Sequence, residues 1–106
     1  MSENVQCLLS ELRRGLADIY SVRLKGVFLF GSYARGDQED ESDMDILVVL
    51  NDYRSYGAEI DRTSELTSAL SLKYRVSIST IFVRETEWRG GDTPLLRNVR
   101  QEAIPA

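Results

Sequence analysis

Residues Asp43 to Leu50 read D-M-D-I-L-V-V-L, and no stretch constrains the fold more. Aspartates at 43 and 45 open it, an apolar run from Ile46 to Leu50 follows, and the turn residues Asn51-Asp52 close it. A short apolar run bounded by turn residues is a buried strand. Side chains alternate along a strand, so Asp43 and Asp45 project from one face. Leu47 and Val49 share that face further along, while Ile46, Val48 and Leu50 point the other way. Two carboxylates side by side in a low dielectric stay ionised only with a compensating cation. A hard divalent ion with oxygen ligands, magnesium, suits such a pair. An acidic loop end facing water is the plainer reading of the same two residues, and D-x-D alone does not decide between them.

The rest of the chain supplies the layers such a strand needs. Val5, Leu8, Leu9, Leu12, Leu16, Ile19 and Tyr20 recur at helical spacing, which predicts a helix over Glu3 to Tyr20 with Ser2 as its cap. Lys25-Gly26 breaks the pattern, and Val27 to Phe30 reads as a short buried strand ending at Gly31. Ser32 to Arg35 fits one helical turn, with a polar loop from Gly36 to Ser42. A helix from Tyr56 to Lys73 and a third strand from Val76 to Val83 follow. In that strand Ser77, Ser79, Ile81 and Val83 share a face. Arg89 to Pro94 reads as a loop, and Leu95 to Gln101 as a last short helix. The expected fold is α/β (α+β): one domain over residues 1–106, with a small mixed sheet of three to four strands and helices packed on it.

Composition excludes several chemistries. The chain has no histidine, which removes Ser-His-Asp, Cys-His and histidine-ligated zinc sites. Cys7 is its only cysteine, so no intrachain disulfide forms and a reducing, cytoplasmic setting is expected. The N-terminus lacks the basic and apolar regions of a signal peptide, and no apolar run reaches membrane-spanning length. A net charge of −4 argues against broad binding to nucleic acid or to an anionic membrane. Exposed sheet edges leave a homodimer open.

Gly31-Ser32, directly after a buried strand, adds a second feature. A Gly-Ser turn before a short helix exposes backbone N–H groups and a hydroxyl, and glycine lets the backbone approach a ligand closely. The pattern is then apolar strand, Gly-Ser, a ten-residue spacer from Tyr33 to Ser42, and Asp-x-Asp opening a second apolar strand. It places a phosphate cradle and a metal site on neighbouring sheet elements.

G-S-Y-A-R-G followed by S-D-M-D-I-L-V-V-L resembles the signature of the DNA polymerase beta-like nucleotidyltransferase superfamily. More narrowly, the chain resembles its minimal nucleotidyltransferases, small single-domain members found in prokaryotes. The tail T-P-L-L-R-N-V-R-Q-E-A-I-P-A is similar to the L-L-x-N-I-x-x-E-G-I ending of such proteins, with Ala103 where glycine is usual. The resemblance implies that Gly31 and Ser32 hold the triphosphate of a nucleotide and that Asp43 and Asp45 bind magnesium and are catalytic. It further implies transfer of a nucleoside monophosphate, AMP from ATP, onto a hydroxyl of a protein or small molecule. Arg35 stands at the family's A-R-G. It either supports the loop and neutralises phosphate or pairs with the acidic run beside it. Minimal nucleotidyltransferases often act as antitoxins beside a helical HEPN-domain toxin, so a HEPN partner is expected.

The sequence departs from the family in one place. Active members carry a third carboxylate on a neighbouring strand, and the matching position is Ser77 in V-S-I, with Ser79 as the same-face alternative. A serine supplies no negative charge at neutral pH. Three routes would accommodate this: Glu85 or Glu87 folding back to the site, completion of the coordination by the nucleotide or acceptor, or a degenerate domain that binds nucleotide or a partner protein without turnover.

Overall fold

In the computed structural model, which describes residues 1–106, the two long helices begin at serine caps. Ser2 Oγ accepts from Val5 N–H at the start of α1 (Glu3–Tyr20), and Ser55 Oγ accepts from Ala58 N–H at the start of α3 (Tyr56–Tyr74). Between them lie β1 (Leu24–Phe30), the one-turn α2 (Ser32–Arg35) and β2 (Met44–Leu50). After α3 come β3 (Ile78–Arg84), α4 (Glu85–Gly90), α5 (Pro94–Glu102) and β4 (Ile104–Pro105). No helix is long and apolar enough to cross a membrane.

The sheet is mixed and four-stranded, in the order β3-β2-β1-β4. β1 runs antiparallel to both β2 and β4, and β2 runs parallel to β3, with α3 as the connection a parallel pair requires. α1 and α3 cover one face. Leu8, Leu12, Leu16 and Leu70 pack there against Val27, Leu29, Met44, Ile46, Val48, Leu50 and Phe82. The other face is thinner. Phe30, Leu47, Val49 and Val83 lie under Leu96 and Val99 of α5, and Trp88 of α4 stacks on Phe28 with ring centroids 4.9 Å apart. β2 is therefore buried on both faces, as its unbroken apolar run predicts.

Four expectations need correction. β1 begins at Leu24 rather than Val27, so Lys25-Gly26 lies within the strand, which absorbs the extra residue as a register shift opposite Leu50 and Val49. β3 begins at Ile78 rather than Val76. Residues 85–90 form α4, part of which falls in the stretch read as loop. The tail ends in β4, where Ala103 adopts φ −66° and ψ 140°, a conformation open to alanine as well as glycine.

Candidate active site

Antiparallel pairing brings Gly31 to Asp45. β1 ends where β2 begins, and Phe30 sits opposite Asp45 in the ladder. Gly31 follows at φ 73° and ψ −155°, a region open essentially to glycine alone. A Cβ at this position would be driven into Asp45 Oδ2, so glycine is demanded by both the backbone and the neighbour. Ser32 then opens α2, half-buried, and its hydroxyl makes no hydrogen bond within the chain. A glycine turn with a free hydroxyl and a short helix thus lies against a carboxylate.

Asp45 lies on the α5 side of the sheet with Leu47 and Val49, half-buried, and its ladder partner on β3 is Ser79. Asp43 precedes the strand and is exposed, and the next residue, Met44, donates its N–H to Ser77 O at 2.8 Å. Burial pushes the Asp45 carboxyl above the usual aspartate range, the charges of Asp43 and, less strongly, Glu102 push it further, and Arg35 opposes them. That is the electrostatic condition a cation would relieve. Two carboxylates at the head of one strand are a donor set that would suit magnesium, an ion that takes few carboxylates beside water and phosphate oxygens.

Position 79 on the strand beside Asp45, and position 77 beside Asp43, are both serine and both exposed. Nowhere in the chain do three acidic or cysteine side chains converge on one point. The fold-back route through Glu85 or Glu87 is closed. Because β3 is parallel to β2, its C-terminal end lies a full strand length from Asp45, about 20 Å for seven residues. Glu85 pairs with Arg89 there, and Glu87 pairs with Arg84.

Arg35 is not free, because its guanidinium is already paired twice. Its Nε bonds Asp37 at 3.2 Å, so the pairing with the acidic run is real, and its Nη1 bonds Glu102 Oε2 at 3.0 Å. Glu102 Oε1 accepts the Gly31 N–H at 2.9 Å. Glu102 therefore belongs to this site, although sequence reasoning assigned it nothing. The only signal was its place in the family-like tail, because the contact spans 71 residues. Nearby aromatic and basic side chains are held in structural contacts: Trp88 stacks on Phe28, Arg100 Nε donates to Trp88 O at 3.1 Å, and Arg97 pairs with Asp92. A cleft of about 400 Å³ lined by Arg23, Asn51, Tyr53, Arg54, Glu59 and Arg62 opens at the far end of β2, away from the acid pair.

A glycine turn with a free hydroxyl thus lies against Asp45 across an antiparallel strand pair, with Asp43 two residues before it. The sequence signature of the Nucleotidyltransferase domain family matches residues 9–105. The chain belongs to that family. It is 35% identical over 79 residues to the Methanocaldococcus jannaschii protein MJ0141, named "Putative protein adenylyltransferase", covering 74% of this chain and 79% of that one. It is 34% identical over 71 residues to the protein adenylyltransferase MntA of Thermococcus cleftensis, covering 67% of this chain and 70% of that one. Among solved structures, a toxin–antitoxin complex with AMP-PNP has a chain that superposes with a TM-score of 0.67 at 25% identity, over 92% of this chain and 70% of that one. A structure described as a "putative minimal nucleotidyltransferase" gives a TM-score of 0.55 at 28% identity, over 92% of this chain and 95% of that one.

Proposed function

We propose that this chain is a magnesium-dependent protein adenylyltransferase that moves AMP from ATP to a hydroxyl of a partner protein. The observation that carries the reading is the strand pairing that sets Gly31 and Ser32 against Asp45, with Asp43 beside it. Gly31 lets the triphosphate approach the backbone, and the Ser32 hydroxyl donates to a phosphate oxygen. Asp43 and Asp45 hold magnesium, which when bound neutralises phosphate charge and the pyrophosphate leaving group. The acceptor oxygen attacks the α-phosphorus in line, the bond from that phosphorus to the bridging oxygen breaks, pyrophosphate leaves, and the hydroxyl proton passes to water. Such a transition state is loose and asks little of a protein base, so positioning carries most of the catalysis. That makes serine at 77 and 79 compatible with slow turnover.

The relatives named as protein adenylyltransferases and the toxin–antitoxin structure support a protein acceptor, and a HEPN-domain toxin encoded beside this chain is the partner proposed. The test co-purifies the chain with the small helical protein of the adjacent reading frame and supplies ATP with magnesium. Intact-mass measurement should find adenylyl groups on the partner and none with Asp43→Ala/Asp45→Ala. Unmodified partner under every nucleotide would end the enzymatic claim.

Ser77 and Ser79 favour one second reading, a domain that binds nucleotide without turnover. Calorimetry separates the two. Tight magnesium–ATP binding, lost in Asp43→Ala/Asp45→Ala and unaccompanied by transfer, would establish it.

A further inference from the structure

Resting on the adenylyltransferase reading of the site, we propose that Glu102 is its positioning residue: one carboxylate from the C-terminal tail fixes the phosphate-binding turn at both ends.

The geometry begins with strand register. β1 and β4 pair Phe28 with Pro105 and Leu29 with Ile104, so two residues further along Gly31 stands opposite Glu102. The ladder does not reach that far through the backbone. α5 runs to Glu102, and the Ala103 N–H turns back to Val99 O at 2.7 Å. The Gly31 N–H therefore faces sideways along the sheet with no strand carbonyl to meet it. Glu102 Oε1 takes that place at 2.9 Å, a side chain standing in for the missing ladder acceptor.

Its second oxygen does something a ladder carbonyl could not. Oε2 accepts from Arg35 Nη1 at 3.0 Å, and Arg35 is the last residue of α2. Gly31 is the N-cap of the same turn, and Gly31 O accepts the Arg35 N–H at 3.1 Å. One carboxylate thus spans α2 from cap to end. Its anchor is firm, because Leu96 and Val99 of α5 are buried against Phe30, Leu47 and Val49. An exposed ion pair alone would be worth little. This one also holds the backbone N–H of a positive-φ glycine, whose conformation decides where Ser32 points.

The test compares Glu102→Gln, Glu102→Ala and Arg35→Ala. Glutamine keeps an oxygen for the Gly31 N–H and loses the ion pair. Alanine loses both contacts. The KM for ATP should rise about tenfold in Glu102→Ala, the equivalent of one charge-assisted hydrogen bond, while kcat changes little. Glu102→Gln should recover part of the loss and match Arg35→Ala. A lower Tm with the KM for ATP unchanged in Glu102→Ala would overturn the proposal, since the residue would then only hold the tail down. Amide hydrogen exchange on the nucleotide-free protein gives a reading that needs no turnover. Gly31 and Ser32 should exchange faster in Glu102→Ala than in Glu102→Gln, and equal protection in both variants would also overturn it. If the parent chain neither binds nor transfers AMP, the adenylyltransferase reading fails by itself, and the exchange comparison still decides the role of Glu102.

Discussion

At the scale of single residues, Gly31 is where chain conformation and site chemistry meet. Its positive φ and the Asp45 oxygen above its Cα leave no room for any side chain. Gly31→Ala should cost about 1–3 kcal/mol from backbone strain alone, read by chemical denaturation. It should also abolish magnesium–ATP binding, because relief of the clash requires moving Asp45. Glu102 gives a prediction with a definite pH sign. The Gly31 N–H first, and Arg35 second, hold its carboxyl below the usual glutamate range. A depressed folded-state pKa contributes stability that is complete above the unfolded value and is lost as pH falls through the folded one. The Gly31 amide should therefore stay protected well below the pH at which a free glutamate protonates and then lose protection, followed by exchange or by its chemical shift. Loss of protection at or above the ordinary glutamate range would contradict this. The residues of the site differ in how legible they were. Strand alternation is local, so the place of Asp45 on one face with Leu47 and Val49 could be read directly. Glu102 acts through a register between β1 and β4, set by the packing of α5, and no local pattern encodes that.

At the scale of elements, β2 was legible because burial on both faces leaves an unbroken apolar run, and α1 because its stripe is regular and capped. β4 was not, since two residues carry no periodicity and are a strand only because β1 lies beside them. α4 was hidden for a related reason: its six residues are held by Trp88 on Phe28 and by the Glu87 carboxylate on the Arg84 N–H, contacts that depend on the finished sheet. The parallel pairing of β2 with β3 also had to be seen, and it makes the serine question testable. It sets Ser79 beside Asp45 on the aspartate face, with Ser77 one step nearer Asp43. Introducing Ser77→Asp or Ser79→Asp should lower the Tm without metal, because a third like charge joins a crowded face. With magnesium and ATP present, at least one of the two should raise the adenylyl-transfer rate about tenfold, below the ~10²–10⁴ of an optimised base. If both lower the Tm and neither accelerates transfer, the site does not use a third carboxylate.

For the molecule as a whole, the open question is the outer edge of β3, the place where a second copy would pair. In a parallel strand, alternate residues address opposite neighbours. Ser77 O bonds β2, so Ser79, Ile81 and Val83 face inward, and Ile78, Thr80 and Phe82 turn their backbone groups outward. Two tyrosines cover part of that edge. The Phe82 N–H donates to Tyr56 Oη at 3.3 Å, and Tyr53 Oη donates to Phe82 O at 3.3 Å. The rings brace each other, with Tyr53 and Tyr56 centroids 6.1 Å apart and Tyr56 and Phe82 5.9 Å apart. What remains open is the short stretch at Ile78 and Thr80, too little for a stable strand pair. The chain is therefore expected to sediment as a monomer in the absence of its partner. Replacing both tyrosines by phenylalanine keeps the packing and removes only the hydroxyls, at about 1 kcal/mol for each hydrogen bond. The outward edge then runs unguarded from Ile78 to Phe82. Sedimentation velocity over a concentration series should show the double variant associating where the parent does not. Identical monomeric behaviour in both would mean that the edge is protected by twist and side-chain bulk, with no contribution from the tyrosine hydroxyls.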